Sequence, residues 1–537
     1  MQFKVQGLCS DLGLYDLILK PTRLNNILDH VLISKDLTKS YNPDKVVYDA
    51  PIGSADHKIL FCAPDTVETS HTTIRWHTVY DFRLSCLTRL HCNADSLDWE
   101  NLLFNAANVD EMWNKFHSSI KDIFTQCIPC QLVPMSRKDK DWITPLTKKL
   151  ITDRWRAFRA GDMESYKRLK DKVKREIQKS KQLWAQKQMQ TTKGLWKLVT
   201  HHNPKHRGDI ATLINGPLDT LIDEVTDHLT NHFKPNTSIM EPDTLLDDDW
   251  KPQFTEYQVM RSLQRYSIAK SGGSDDIPTR IYVELAELIS RPLAKIFNQS
   301  VLERRFPTEW KKARIVAISK TNLPDPTKMC YLSLLPVPSK IFEKLVLNTL
   351  RREFEKAYGN QQHAFRRNSS TTTALLRITD AAAKIFDDVS MFGVAILNYD
   401  MSSAFDHVDH ATTISMLSKL DFPRGFIRWL ASYLLDRTGR LQVNGKSSPS
   451  INIEKGVPQG SVLGPALFCS YIRDFNAANS STTMLKYADD LSLIVPIKAR
   501  SSSAISELVN SETTEVCLLY TSPSPRDLST SRMPSSA

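Results

Sequence analysis

The chain has 537 residues, of which 41% are hydrophobic and 24% are charged, and its formal net charge is +10. No stretch approaches the roughly 18 to 20 consecutive apolar residues that a membrane helix requires, so we expect no membrane partner. Nine scattered cysteines indicate reduced thiols inside a cell rather than a disulfide framework.

The first half of the chain divides into two regions of different texture. Residues 1–64 alternate short apolar runs with proline and glycine, which predicts short strands, whereas residues 65–250 are charged and mostly helical. Residues 137–187 hold 17 Lys or Arg against 7 Asp or Glu, and their apolar positions fall on one helical stripe. This basic arm is either a surface for nucleic-acid phosphates or a solvated helical face, and the sequence leaves both open.

The second half predicts an α+β body followed by a disordered tail. Residues 251–516 alternate helical patterns with apolar strands; a helix is expected from Lys340 to Tyr358, ended by Gly359, and a strand from Val394 to Tyr399. Residues 521–537 include eleven Ser, Pro or Thr, so we expect the segment from 517 onward to be disordered.

Three aspartates stand where apolar strands end. Asp489 and Asp490 lie between two strand-like runs and predict the tip of a hairpin, although Asp is also a common turn residue with no further role. Asp400 ends the strand that begins near Val394. Carboxylates within about 4 Å of each other repel by roughly 1 to 4 kcal/mol, so they need a cation or must take up protons. Oxygen ligands of this kind suit Mg²⁺, and two such ions form the site used for in-line phosphoryl transfer.

A glycine-rich loop, Gly456-Val-Pro-Gln-Gly-Ser461, precedes an apolar helix. Its glycines let the backbone approach a ligand closely, and the Gln459 amide can both donate and accept hydrogen bonds. The same loop can equally be a plain helix start.

In this order the three segments resemble the palm of a reverse transcriptase. The matching runs are Asp400-Met-Ser-Ser-Ala-Phe405-Asp, Gly456-Val-Pro-Gln-Gly460 and Tyr487-Ala-Asp-Asp490. Flanking runs such as Phe306-Pro-Thr-Glu-Trp and Gln362-His-Ala-Phe-Arg366 are similar to those of LINE-type, jockey-like retrotransposons without long terminal repeats. The resemblance covers nearly all of residues 260–516. It implies a right-hand polymerase with fingers over 251–390 and a partial palm over 391–516, lacking the thumb.

The resemblance also implies roles for individual residues. Asp400, Asp489 and Asp490 would be the catalytic, metal-binding carboxylates for two Mg²⁺ ions, with Mn²⁺ as an alternative. Phe405 would be the steric gate against a 2′-hydroxyl, although an aromatic residue near a strand end is usually part of the core. Gln459 and Gly460 would line the incoming nucleotide. Lys320 would reach its triphosphate, with a solvated lysine as the alternative.

Residues 1–64 are similar to the last strands of the apurinic-endonuclease-like domain that precedes the polymerase in these elements. The resemblance rests on Leu28-Asp-His-Val-Leu-Ile-Ser34 and Gly53-Ser-Ala-Asp-His57. It implies that Asp29 holds His57, which stabilises the scissile phosphate, and that Asp56 sits in the catalytic centre. A structural histidine is the alternative at His57. Because earlier strands are absent and Ala55 replaces a serine, we expect no nicking activity.

These patterns lead to one main expectation and one alternative. We expect an RNA-directed DNA polymerase that joins deoxynucleoside triphosphates to a primer 3′-hydroxyl, with an RNA template and a DNA primer or target as partners, in the nucleus and cytoplasm. The run Met329-Cys-Tyr-Leu-Ser replaces the family's arginine-containing motif, and the palm is cut short near Val516, so we expect weak or no activity. The alternative is a non-catalytic nucleic-acid-binding remnant carried by the basic arm.

Overall fold

The computed structural model describes fifteen stretches of the chain. They are residues 14–22, 27–34, 41, 43–49, 59–62, 75–135, 139–140, 142–189, 218–234, 250–268, 270–319, 325–401, 403–443, 446–498 and 501–521. The chain forms two compact units, Met1–Thr72 and Thr73–Ala537.

The described part of the first unit contains two short antiparallel strand pairs. Strands β1 (Leu14–Asp16) and β2 (Leu32–Ser34) pair antiparallel, as do β3 (Val47–Asp49) and β4 (Ile59–Phe61). Among the described residues its buried core consists of Leu17, Ile18 and Val46. The expected short strands are therefore confirmed for this unit.

The second unit begins with helices and one antiparallel strand pair. Strands β5 (Arg75–Tyr80) and β6 (Cys130–Met135) form this pair, although three helices lie between them in the sequence. The helices of this part are α1 (Leu84–Asp95), α2 (Trp99–Phe104), α3 (Val109–Cys127), α4 (Pro145–Arg159), α5 (Met163–Met189) and α6 (Leu218–His232). The expected, mostly helical character is confirmed for the described residues within 65–250, which also contain the β5–β6 strand pair.

Helices α4 and α5 pack together as a hairpin, which we call the basic hairpin. Leu150 of α4 and Val173 of α5 are buried, and the rings of Trp142 and Trp184 meet edge to face at 5.7 Å. The predicted apolar stripe of α5 is therefore its packed face. The basic residues of α5 are exposed, and Trp155 and Phe158 of α4 are 53% and 50% exposed.

The rest of the second unit is built on helices that surround two sheets. They are α7 (Glu256–Gln264), α8 (Thr279–Glu284), α9 (Ala286–Glu303), α10 (Val337–Thr349), α11 (Arg351–Ala357), α12 (Thr371–Asp387), α13 (His410–Ser418), α14 (Arg424–Leu434), α15 (Gly464–Tyr471) and α16 (Ser502–Thr521). Their inward faces build one large core, in which Phe342 of α10 contacts Trp429 of α14 edge to face at 5.3 Å.

Two expectations about these helices were wrong in detail. The helix predicted from Lys340 to Tyr358 is two helices, α10 and α11, because Leu350 between them leaves the helical conformation at φ −109° and ψ 19°. Helix α16 runs to Thr521, so residues 517–521 are helical rather than disordered, and residues 522–537 lie outside the described part.

Two sheets carry the candidate site. Strands β7 (Lys312–Ser319), β8 (Met329–Leu334), β10 (Arg437–Val443), β11 (Lys446–Ser447) and β12 (Ile451–Ile453) form a five-stranded sheet, in which β10 runs parallel to β7. Strands β13 (Thr483–Tyr487), β14 (Asp490–Ile497) and β9 (Gly393–Asp400) form an antiparallel sheet in that order, which we call the three-stranded sheet. The α+β class is thus confirmed. The five-part domain division and its fingers and palm stay predictions.

Candidate active site

The three aspartates meet at one end of the three-stranded sheet. Strand register places Asp400 directly opposite Asp490, and residues paired in this way have Cβ atoms about 4.5 to 5.5 Å apart. Asp489 lies in the adjacent turn, and its carbonyl accepts the Met401 N–H at 3.4 Å. The predicted strand end and hairpin are confirmed as structure, and they bring the carboxylates together.

The turn that carries Asp489 has an unusual backbone. Ala488 and Asp489 form a two-residue loop between the paired residues Tyr487 and Asp490, and Ala488 has φ 55°. A positive φ at the first position of such a loop is usually supplied by glycine, because a Cβ there is strained by roughly 1 to 2 kcal/mol. The surrounding structure must therefore hold this turn in place.

Asp400 and Asp490 are exposed, and both line a cleft of about 400 Å³ beside helix α12. Asp489 is half-buried on the side of helix α15, where its charge and, above all, burial raise the pKa of the Cys469 thiol to about 12. Within the described part of the chain, no three His, Cys, Asp or Glu side chains are grouped closely enough to hold a metal ion alone. Two or three carboxylate oxygens nevertheless suit Mg²⁺, which usually shares its ligands with substrate phosphates and water.

Phe405 is half-buried and stacks on Phe468 of α15 at 4.6 Å between ring centroids. Its carbonyl accepts the Val457 N–H at 2.8 Å, so the Phe405 segment and the glycine-rich loop are joined. This joint requires glycine at 456, where φ is 81° and a Cβ would lie 2.8 Å from the Asp406 backbone.

Gln459 and Gly460 connect the glycine-rich loop to the five-stranded sheet. The Gln459 carbonyl accepts the Ser333 N–H at 2.8 Å, and its side-chain nitrogen donates to Asp406 Oδ1 at 2.9 Å. At Gly460, φ is 133° and a Cβ would come within 2.4 Å of the Ser333 carbonyl oxygen. The loop is therefore fixed against β8, and the expected contact of Gln459 and Gly460 with a ligand stays a prediction.

Sequence reasoning missed a carboxylate that supports the glycine-rich loop from beneath. Glu343 of α10 is fully buried, and its Oε2 accepts the N–H groups of Val462 and Leu463 at 2.7 and 3.1 Å. Burial raises the pKa of this carboxyl despite the two hydrogen bonds. A charged residue on the apolar face of a predicted helix was the signal that could have revealed it.

Of the remaining predicted site residues, Lys320, Asp56 and His57 lie outside the described residues. The Asp29 N–H donates to Thr22 Oγ1 at 3.2 Å, and its expected pairing with His57 stays a prediction. Sequence reasoning also missed an acid–histidine pair in the same unit, where Asp16 Oδ2 and His30 Nδ1 are 2.5 Å apart.

Comparison with known proteins agrees with this geometry. The family described as "Reverse transcriptase (RNA-dependent DNA polymerase)" matches residues 318–515. A Drosophila melanogaster protein named "Probable RNA-directed DNA polymerase from transposon BS" is 31% identical over 248 residues, which are 44% of this chain and 27% of that protein. "RNA-directed DNA polymerase from mobile element jockey" of the same species is 31% identical over 253 residues, or 45% and 27%.

The matched region spans little more than a quarter of these relatives, so the comparison identifies a domain and not a whole protein. The matched region runs from the end of β7 into α16. It includes the glycine-rich loop and the three-stranded sheet with its three aspartates. Residues 318–515 of this chain match the reverse transcriptase family, and this part of the chain is similar to the RNA-directed DNA polymerases of the BS and jockey elements.

Proposed function

We propose that the chain is an RNA-directed DNA polymerase that extends a primer 3′-hydroxyl with deoxynucleoside triphosphates on an RNA template. The observation that carries this proposal is the pairing of Asp400 with Asp490 at a sheet end, with Asp489 in the adjoining turn. Two paired carboxylates that line an open cleft, with a third in the adjoining turn, are suited to binding divalent cations together with the phosphates of a substrate.

In this proposal Asp400, Asp489 and Asp490 hold two Mg²⁺ ions, for which Mn²⁺ can substitute. When bound, such ions stabilise the charge on the entering and leaving oxygens of an in-line displacement. The chain's own contribution is to fix the carboxylates in register before substrate arrives, so that little reorganisation is needed at the moment of reaction. Gln459 and Gly460 shape one wall of the nucleotide position, and Lys320 is the proposed contact to the triphosphate.

Primer extension on an RNA template tests the assignment. Asp489→Asn should lower the extension rate by at least about a thousand-fold, because it removes charge from the group that stabilises the transition state. Asp421→Asn is the matched control, since the Asp421 side chain is 91% exposed in the turn between α13 and α14. Extension by the Asp489→Asn variant at the rate of the control would exclude this site.

Phe405 is the proposed gate against ribonucleotides. Phe405→Val should raise ribonucleotide incorporation relative to deoxynucleotide incorporation by about 10- to 100-fold, the range that one apolar contact can discriminate. Because Phe405 stacks on Phe468, Phe468→Leu is the control for altered packing alone. The gate role is excluded if Phe405→Val leaves the preference unchanged, or if Phe468→Leu relaxes it equally.

Nucleic-acid binding by the basic hairpin is the second candidate, and it can coexist with the first. Residues 137–187 carry ten more basic than acidic residues, and Trp155 and Phe158 are 53% and 50% exposed on α4. Exposed aromatic rings within a basic surface suit single-stranded RNA, because phosphates bind the cations and bases stack on the rings.

RNA-binding titrations at several salt concentrations test the second candidate. Trp155→Ala should weaken binding of an oligoribonucleotide by about 1 to 3 kcal/mol, the value typical of one stacked base. Tyr257→Ala on α7, where the ring is 64% exposed, is the matched control outside the hairpin. Equal weakening by both variants would remove the hairpin's role.

A further inference from the structure

Residues 361–363, at the start of the run Gln362–Arg366, pair with the outer edge of the three-stranded sheet. Gln362 forms an isolated parallel bridge with Lys486 of β13. The Lys486 N–H donates to the Gln361 carbonyl, and the His363 N–H donates to the Lys486 carbonyl, both at 2.9 Å. Residues 361–363 are therefore tied to the strand that leads directly into the aspartate turn.

The Gln362 side chain reaches the turn itself. It is 1% exposed, and its Oε1 accepts the N–H of Ala488 at 3.1 Å and the N–H of Ala364 at 2.9 Å. Both neighbours are backbone donors, so the amide oxygen and not the nitrogen must face them. The Nε2 atom is buried without a hydrogen-bond partner in the described part of the chain. The contacts of this side chain with the turn are therefore made by its amide oxygen.

The bonded N–H belongs to the residue that needs support. Ala488 holds a positive φ without being glycine, and it immediately precedes Asp489. A strained turn keeps one conformation only where its surroundings fix it, and a small rotation at Ala488 would swing the Asp489 carboxylate away from Asp400. Of the two backbone groups that Gln362 satisfies, the one on Ala488 therefore bears on the carboxylates.

We propose that Gln362 is a positioning residue, which sets the geometry of the divalent-cation site by holding the Ala488 turn through its amide oxygen. This inference rests on the proposed metal-binding role of Asp489. Gln362 would not bind the ion itself. It would orient Asp489, which lies more than a hundred residues further along the chain. Groups that orient a metal ligand in this way typically change metal affinity or activity by about 10- to 100-fold when removed.

The test compares three variants of the full chain. Gln362→Met removes the acceptor at nearly constant volume. Gln361→Met is the matched control, because the Gln361 side chain donates to Asn476 Oδ1 instead of to the turn. Gln362→Glu keeps an acceptor oxygen and serves if the methionine variant does not fold. Two quantities are measured beside primer extension. The first is the hydrogen-exchange rate of the peptide that contains Ala488. The second is the affinity for Mn²⁺, followed by electron paramagnetic resonance.

Gln362→Met should speed exchange at the turn by about ten-fold, as expected for one lost hydrogen bond, and weaken Mn²⁺ binding by about ten-fold or more. Gln361→Met should change neither by more than about two-fold, and Gln362→Glu should keep slow exchange. Unchanged exchange, or faster exchange with unchanged Mn²⁺ affinity, would overturn the positioning role. If these two results hold but Asp489→Asn extends a primer at the rate of Asp421→Asn, the polymerase assignment fails while the positioning role stands.

Discussion

The three-stranded sheet and the basic hairpin place polar groups in opposite ways. In the sheet, the aspartates are set by buried partners: Gln362 holds the turn, and Lys486 fastens β13 through bonds from its Nζ to the Ile472 and Arg473 carbonyls at 2.8 and 2.9 Å. The hairpin displays its basic residues and two aromatic rings at the surface of a simple helix pair. We therefore expect function to be concentrated in single residues of the sheet and spread over many residues of the hairpin.

The largest expected effect is at the paired aspartates. Asp400→Asn and Asp490→Asn should each lower primer extension by at least about a thousand-fold, or roughly 4 kcal/mol. Because the two residues serve one site, the extension rate of the double variant should be no lower than that of the less active single variant. Steady-state extension rates measured over the full double-mutant cycle check this. Independent, additive losses would show that the two carboxylates do not act together.

The next effect concerns stability. Glu343→Leu should lower the free energy of unfolding by about 3 to 5 kcal/mol, because it leaves two buried N–H groups unpaired and the fully buried Arg437 without its nearby carboxylate. Urea unfolding monitored by tryptophan fluorescence gives the value. Glu287→Leu on the exposed side of α9 is the control and should change stability by less than about 0.5 kcal/mol. Similar losses of unfolding free energy in the two variants would mean that burial of the carboxylate does not determine its contribution to stability.

A pH effect of intermediate size distinguishes the buried lysine from surface lysines. Burial lowers the pKa of Lys486 to about 7, whereas the unfolded lysine stays charged to about pH 10. Between these values the unfolded state binds more protons, so stability should rise with pH by up to about 1.4 kcal/mol per unit. Unfolding free energies at pH 7.0 and 8.5 test this, with Lys486→Met expected to flatten the rise. If the unfolding free energy of Lys486→Met rises equally between these pH values, groups other than Lys486 cause the rise.

The smallest effects should come from the hairpin. Lys167→Gln, Lys170→Gln and Lys174→Gln should each weaken RNA binding only a few-fold, additively, and each should reduce the slope of log affinity against log salt by about 0.7. Binding titrations on the single and triple variants decide the matter. One lysine that accounts for most of the loss would break the contrast with the sheet.

Sequence patterns predicted what is periodic or adjacent in the chain. The strand that ends in Asp400 and the hairpin around Asp489 follow from runs of apolar residues, and family resemblance then related them. The supporting groups gave weaker signals, because Gln362 and Glu343 act through contacts across 126 and 119 residues of chain. Nor did the sequence indicate that β10 would join β7 in parallel, since that pairing depends on how the intervening helices pack.

The contact between Gly460 and the Ser333 carbonyl has a genetic consequence. Any base change that alters the residue at 460 adds at least a Cβ, which would lie 2.4 Å from that oxygen. The site therefore offers no graded series of replacements: a gene copy accumulating random changes either keeps this glycine or pushes the loop away from its sheet in a single step.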